Sequence, residues 1–273
     1  MSREGSETAK LSSLASLQEL RQRIRAGRDA GKPTIVVCAG TACQASESNR
    51  LIRSIKRYLL LKDLVDQVDL RVTGCHGFCE VGPFVLTEPQ NALYTKLHHY
   101  QVPRIIDALL AGEYIEELLY QEPGTEKRYY DYTEIPFFKE QQRTLLSKNQ
   151  KVDPIRLFNN ISEGGYLALE KVLANLDPAW IIEEIKRSGL RGRGGAGFLT
   201  GQKWELARKQ DGSSGKFVVC NADEGDPGAY MDRSILEGNP HSVIEGMILG
   251  GIAVGASEWF IFVRHEYPLA IKN

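Results

Sequence analysis

Residues Gly189–Trp204 read GLRGRGGAGFLTGQKW, and within them Gly192, Gly194 and Gly197 spell G-x-G-x-x-G. A Rossmann dinucleotide loop of this spacing follows a buried strand, opens a helix and is trailed by an acidic residue about 20 positions on. The segment upstream, LDPAWIIEEIKRSG, reads otherwise. Asp177 can cap a helix, Pro178 suits its first position, Ile181, Ile182 and Ile185 fall on one face, and Gly189 can stop the last turn. A helix feeds the glycines, so the loop is not a Rossmann fingerprint, and the fold must be read from the rest of the chain.

At 273 residues, 42% hydrophobic and 25% charged, the chain has ordinary globular composition and room for two domains. A net charge of -1 leaves no overall basic footprint, so no nucleic-acid partner is expected. The first residues, MSREGSETAKLSSLASL, lack the sustained apolar core of a secretory signal, which makes the cytoplasm the expected compartment. The best membrane candidate, HSVIEGMILGGIAVGASEWFIFV, holds only 12 residues between Glu245 and Glu258. A span needs about 18. The expectation there is a buried helix from about Pro240 to near Gly255, then a strand WFIFVRH, and no direct membrane span.

Along the chain, a helical segment LSSLASLQELRQRIRAGRDAG leads into a strand TIVVC at Thr34–Cys38. A helix follows from about Glu47 to Lys62, with Leu51, Ile52, Ile55, Leu59 and Leu60 as its apolar side. VDLRVTGC reads as a strand, PFVLTE and NALYTKL as a pair turning at Pro89, Gln90 and Asn91, and VPRIIDALLAG as a helix ended by Gly112. The order αβαββα suits a small α/β layer of thioredoxin type. Residues 113–152 lack apolar periodicity and read as a linker, but Tyr129, Tyr130, Tyr132, Phe137 and Phe138 imply that it lies against a surface. Beyond it come helices with turns, the glycine loop, a helix from about Gln202, the strand KFVVC and an acidic loop.

Four of the five cysteines form two tight pairs, Cys38 and Cys43 in CAGTAC and Cys75 and Cys79 in CHGFC, separated by 31 residues. Thiolates paired on loops leaving two strands can bind a soft metal centre. A disulfide is disfavoured in a cytosolic setting. Zinc usually takes C-x2-C hairpins, and a thiol redox pair is a further alternative. A [2Fe-2S] cluster, in which each iron takes two thiolates, suits these wider spacings best. Gly40, Gly74 and Gly77 would let backbone N–H groups approach its sulfides. His76 is expected on the loop surface rather than as a ligand, and Cys220 as a small buried hydrophobe.

The C-x4-C and C-x3-C pairs, ending in GCHGFCEVGP, resemble the thioredoxin-like [2Fe-2S] ferredoxins, including the small iron-sulfur subunit of complex I, over about Thr34 to Gly112. Further on, EGGYLALEKVL, RGRGGAGFLTGQKW and NADEGDPGAYMDR resemble the family of FMN-binding, NADH-oxidising subunits. That family comprises the complex I flavoprotein and the beta subunits of NAD-linked soluble hydrogenases and formate dehydrogenases. The resemblance implies a cradle in which Gly192, Arg193 and Gly194, with Gly195 and Gly197, border FMN, and Lys203 reaches its phosphate or ring. It implies flavin contacts for Asn221 and Asp223, nicotinamide stacking for Phe198, and an acidic NADH lip at Glu224 and Asp226. Each has a plainer reading: the glycines as a turn, Phe198 as core, Arg193 paired with Asp223 or Glu224. Arg264 and Glu266 could pair near the site or decorate a strand end.

Two departures qualify the likeness. Complex I members commonly read E-x-E-P-G where this chain has EGDPG, and this form leans toward the hydrogenase, formate dehydrogenase and benzoyl-CoA reductase group. A Y-x-x-G-E-E flavin segment, a ubiquitin-like domain and a cysteine cluster for [4Fe-4S] are expected only beyond Asn273. The expected fold class is therefore α/β: an N-terminal helical segment to residue 33, a thioredoxin-like ferredoxin domain over 34–112, a linker over 113–152, and an incomplete α/β FMN-binding domain over 153–273. The implied function is electron transfer from NAD(P)H through FMN to iron-sulfur clusters, alongside other subunits of a redox complex. The alternative is a [2Fe-2S] electron-transfer or assembly module that needs a partner chain.

Overall fold

Helix α1 (Leu14–Ala26) begins where Ser13 accepts the N–H of Ser16 and Ser16 answers in a capping box. The computed structural model describes residues 11–29 and 31–273; the first ten residues of the expected N-terminal segment, and Ala30, lie outside the described residues. The elements that follow are β1 (Thr34–Cys38), α2 (Thr41–Ala45), α3 (Ser48–Leu61), β2 (Asp69–Thr73), β3 (Val85–Glu88), β4 (Ala92–Tyr94) and α4 (Val102–Ala111). Then come α5 (Pro136–Lys139), α6 (Leu157–Ser162), α7 (Leu167–Asn175), α8 (Pro178–Arg187), α9 (Thr200–Lys209) and β5 (Phe217–Ala222). The last four are α10 (Met231–Gly238), α11 (Pro240–Val254), β6 (Glu258–Val263) and α12 (Pro268–Lys272). Up to α4 the order holds one short helix, α2, and one strand more than αβαββα. The contacts divide into two units, one of residues 29–163, 222–243 and 263–273, the other of 11–28, 164–221 and 244–262.

The first unit is built on a four-stranded sheet of order β2-β1-β3-β4. β1 runs parallel to β2, with Cys38 opposite Thr73, and antiparallel to β3, which turns back into β4. All five residues of β1 are buried, as a central strand covered on both faces requires. Alternation sends Ile35 and Val37 to one face and Val36 and Cys38 to the other. Leu51, Ile55 and Leu59 of α3 and Ile105, Ile106 and Leu109 of α4 close the first face. Leu60, expected on that side of α3, is 71% exposed, because it lies about 100° round the helix from Leu59. Gly112 ends α4 in the left-handed region, φ 72°.

The segment 113–152 closes the second face. Tyr120, Tyr129 and Ile135 are buried against Val36, Phe84, Leu86 and Leu93. Phe137 of α5 stacks on Phe78 with ring centroids 4.2 Å apart. The aromatic residues of this stretch therefore mark a strap that completes the core.

In the second unit, Arg21 of α1 is buried and pairs with Glu170 of α7, with Nε to Oε1 at 2.7 Å, and also donates to the Gly165 carbonyl at 2.9 Å. The Glu245 carboxylate of α11 accepts the N–H groups of Tyr166, Ala168 and Leu169, capping α7 from another helix. Asp177 caps α8 through the Ala179 N–H. Ile181 and Ile182 of α8 pack with Val172, Ala253 and Trp204. α11 and β6 occupy the membrane-candidate stretch, and among the described residues no helix is long and apolar enough to cross a membrane. β5 and β6 form a two-stranded sheet, on which Cys220 is half-buried rather than buried.

Candidate functional site

Because β1 and β2 are parallel and in register, both deliver their following loops to the same sheet edge. Cys38 ends β1, and Cys43 lies in the one-turn helix α2. Cys75 follows β2 by two residues, and Cys79 opens a 3₁₀ turn to Val81. Cys38 and Cys43 are buried, Cys75 is half-buried, Cys79 is exposed, and none is in a disulfide. The thiols adjoin in the order Cys43, Cys38, Cys75, Cys79, with the last two sulfurs 3.7 Å apart.

Crowding makes their protons interdependent. A hydrogen bond with Cys38, then one with Cys79, holds Cys75 down to about 2. Its bond with Cys43, then that with Cys75, raises Cys38 well above the ordinary thiol value. Cys43 is lowered by Cys38, and Cys79 is raised by Cys75. Four thiols this close cannot all ionise without a cation among them, and a thiolate-ligated metal group supplies one. Among the described residues no three His, Cys, Asp or Glu side chains gather round a single ion position. The thiols adjoin in succession, and two thiolates on each of two irons suit that arrangement.

The three glycines of these loops do different things. Gly77, at φ 83°, donates its N–H to Cys75 Sγ at 3.2 Å. A Cβ on Gly40 would lie 2.8 Å from Cys75 Cβ, and one on Gly74 would lie 2.2 Å from Gly238 Cα. These two glycines permit close approach to Cys75 and to the Gly238 backbone. His76 is completely buried, not on the surface. Its Nε2 is 2.7 Å from Thr73 Oγ1, its ring meets Phe84 edge-on, and burial pushes it down to about 3. The Thr73 hydroxyl and the Phe84 ring are what the inward-turned ring meets.

Two partners of these loops were invisible in the sequence, because they come from far along the chain. Glu237, 196 positions from Thr41, accepts the Thr41 hydroxyl at 2.6 Å. Arg143 donates to the His76 carbonyl at 2.7 Å.

In the other unit the glycine loop is a short lobe from Leu190 to Thr200. Arg191 and Leu199 form an antiparallel bridge, Gly192 N donates to Phe198 O at 2.8 Å, and the Arg191 side chain donates to Gly197 O at 3.0 Å. Gly195 and Gly197 have φ of 106° and 62°, which an L side chain resists. A Cβ on Gly194, Gly195 or Gly197 would meet nothing within 4 Å, so the cradle is open. Arg193 and Phe198 are exposed; Phe198 is not core. α9 begins at Thr200, two residues before the expected start, and carries exposed Lys203 in its first turn. A cleft of about 280 Å³ between α8 and α9 is lined by Ile185, Lys186, Leu190, Leu199 and Gln202, none of them an expected site residue.

Asn221, near the end of β5, is exposed and belongs to the same unit as the glycine loop, whereas Asp223, Glu224 and Asp226 belong to the unit of the cysteines. Glu224 sits at φ 45° with its carboxylate accepting the N–H groups of Asp232, at 2.8 Å, and Arg233, at 3.1 Å. It thus caps α10, and Tyr267 donates to it at 3.1 Å. Arg264 pairs with Glu266 at 3.2 Å and donates to the Glu224 carbonyl. Asp226 is exposed.

Residues 26–110 match the model of the thioredoxin-like [2Fe-2S] ferredoxin family, and residues 185–273 match that of the Nuo51 FMN-binding domain. The chain is 52% identical over 122 residues to the HndC component of the NADP-reducing hydrogenase of Solidesulfovibrio fructosivorans, covering 45% of this chain and 24% of that protein. It is 44% identical over 139 residues to an NADH-quinone oxidoreductase subunit of Aquifex aeolicus, covering 50% of this chain and 32% of that protein. A solved thioredoxin-like [2Fe-2S] ferredoxin from Aquifex aeolicus overlays 37% of this chain and all of its own, at 20% identity and a TM-score of 0.31. The chain spans about a quarter to a third of the length of the curated relatives it matches. Each of the two resemblances read from the sequence meets a matching family model, and the fold class is α/β, with one part similar to those ferredoxins and another to that FMN-binding domain.

Proposed function

We propose that the chain is part of an NAD(P)H-oxidising flavo-iron-sulfur subunit, working in the cytoplasm with other subunits of a redox complex. The observation that carries this reading is the crowding of four free thiols on adjacent loops, in a chain whose residues 185–273 match an FMN-binding model. Bound FMN would accept a hydride and pass its electrons on singly to iron-sulfur centres. The chain's own residues hold and orient.

Cys38, Cys43, Cys75 and Cys79 would hold a [2Fe-2S] cluster, with the Gly77 N–H bond to Cys75 Sγ trimming the charge on that ligand. Gly192, Arg193, Gly194, Gly195 and Gly197 would border the flavin, because the open glycine lobe admits a planar ring or phosphate closely. Lys203 would supply a cation there. Asn221 would add a polar contact, and exposed Phe198 an apolar face for nicotinamide; for Asp223 a flavin contact is what the resemblance alone implies. Asp226 remains open to an incoming ligand, whereas Glu224 would contribute only by giving up part of its cap on α10. The proposed division is a helical segment to residue 33, a ferredoxin domain over 34–112, a strap over 113–152 and FMN-binding residues over 153–273. A [4Fe-4S] cluster would be held by residues other than these.

The test is an anaerobic visible spectrum of the purified chain with iron, sulfide and acid-released flavin measured on the same sample. Iron, sulfide and FMN each in proportion to protein, with bleaching on NADH or NADPH, is the expected result. Iron and sulfide without flavin would favour the electron-transfer module awaiting a partner. Absence of iron would defeat the ligand assignment.

A further inference from the structure

Two charged side chains from later in the sequence, outside residues 26–110, each hold one of the two cysteine loops. Glu237, near the end of α10, is 3% exposed. Its Oε1 accepts the Thr41 hydroxyl at 2.6 Å and its Oε2 accepts the Thr41 N–H at 3.4 Å. Thr41 is the first residue of α2, between Cys38 and Cys43. Gly40 is the N-cap of that helix and has no side chain to cap with, since a Cβ there would overlap Cys75. Glu237 supplies the missing cap from 196 positions away.

Arg143 lies in the strap. Its guanidinium packs over Phe137 and Phe138 at 5.6 and 5.5 Å and donates to the His76 carbonyl at 2.7 Å. That carbonyl belongs to the same peptide unit as the Gly77 N–H, which in turn donates to Cys75 Sγ. In a trans peptide the C=O and N–H point in opposite directions, so a cation pulling on the oxygen polarises the unit and strengthens the donor at the sulfur.

We propose that Glu237 and Arg143 set the midpoint potential of the [2Fe-2S] group in opposite directions, Glu237 lowering it and Arg143 raising it. Reduction adds one negative charge to the cluster. A fixed carboxylate on the Cys38–Cys43 loop opposes that charge, and a fixed guanidinium on the Cys75–Cys79 loop favours it. Glu237 acts from the Thr41 hydroxyl and N–H and Arg143 from the His76 carbonyl, so both are positioning residues. This inference rests on the reading of the four cysteines as cluster ligands.

The experiment is a potentiometric titration of the full chain, reconstituted anaerobically and followed by EPR, with iron and sulfide measured on every sample. E237Q keeps an oxygen acceptor for Thr41 at nearly the same volume and should raise the midpoint potential. R143Q should lower it, and R143K, which keeps the charge, should restore it toward the parent value. A purely structural role would change cluster content without these opposed shifts. Equal iron and sulfide with the E237Q and R143Q potentials unchanged, or moved in the wrong direction, overturns the proposal. Should R143Q fail to retain iron, the sign of the E237Q shift decides. A parent without iron and sulfide overturns the cluster reading, and this one with it.

Discussion

Gly40 cannot carry a side chain without displacing Cys75, because a Cβ there would stand 2.8 Å from Cys75 Cβ and 3.0 Å from its Cα. Its φ of -60° is open to any residue, so space rather than backbone strain demands glycine. Gly40→Ala should therefore push the two cysteine loops apart, costing about 1–3 kcal/mol by overpacking and lowering the iron bound per chain. Urea unfolding and iron analysis of the same preparation check this; parent-like values in both would show that the loops can part freely. The same reasoning separates Gly77, whose left-handed backbone aims an N–H at Cys75 Sγ. Three glycines that look alike in CAGTAC and GCHGFC thus answer different physical demands.

The strap, 113–152, has no amphipathic period because it is neither a regular helix nor a strand for most of its length. What the sequence did disclose was its aromatic content, and those rings cover the second face of the sheet. Ile135, fully buried there, is the clean probe: Ile135→Ala should cost about 2–5 kcal/mol in denaturant unfolding, as a core deletion does. A loss under about 0.5 kcal/mol, the range of surface substitutions, would return the segment to the status of a linker. Helix α10 shows a related logic at both ends. Glu224 caps its start and Glu237, near its end, caps α2, so an acidic loop and a cysteine loop are tied to one eight-residue rod.

At the scale of the whole molecule, the unit that holds the cysteines draws on three separate stretches of chain. Asn149 donates to the Ser234 carbonyl at 2.8 Å, Asn160 to Asn239 Oδ1 at 2.9 Å, and Thr41 to Glu237. A fragment of residues 29–163 lacks those partners and should unfold at a temperature lower by about 5 °C or more than the cysteine-bearing unit of the full chain. Identical melting in the two would mean that residues 222–243 contribute nothing to that unit. The sequence by itself determined the strands, the longer helices, the Asp177 cap of α8, the paired cysteines and the rejection of a Rossmann loop. Those features are written in local periodicity, turn residues and spacing, which neighbours along the chain enforce. Only the tertiary structure decided that His76 turns inward, that Leu60 turns outward, that the strap is core, and that Glu237 and Arg143 hold the cysteine loops. Each of those depends on what packs beside a residue in three dimensions, and for the strap, Glu237 and Arg143 the partners lie too far along the chain to leave a period or spacing to read.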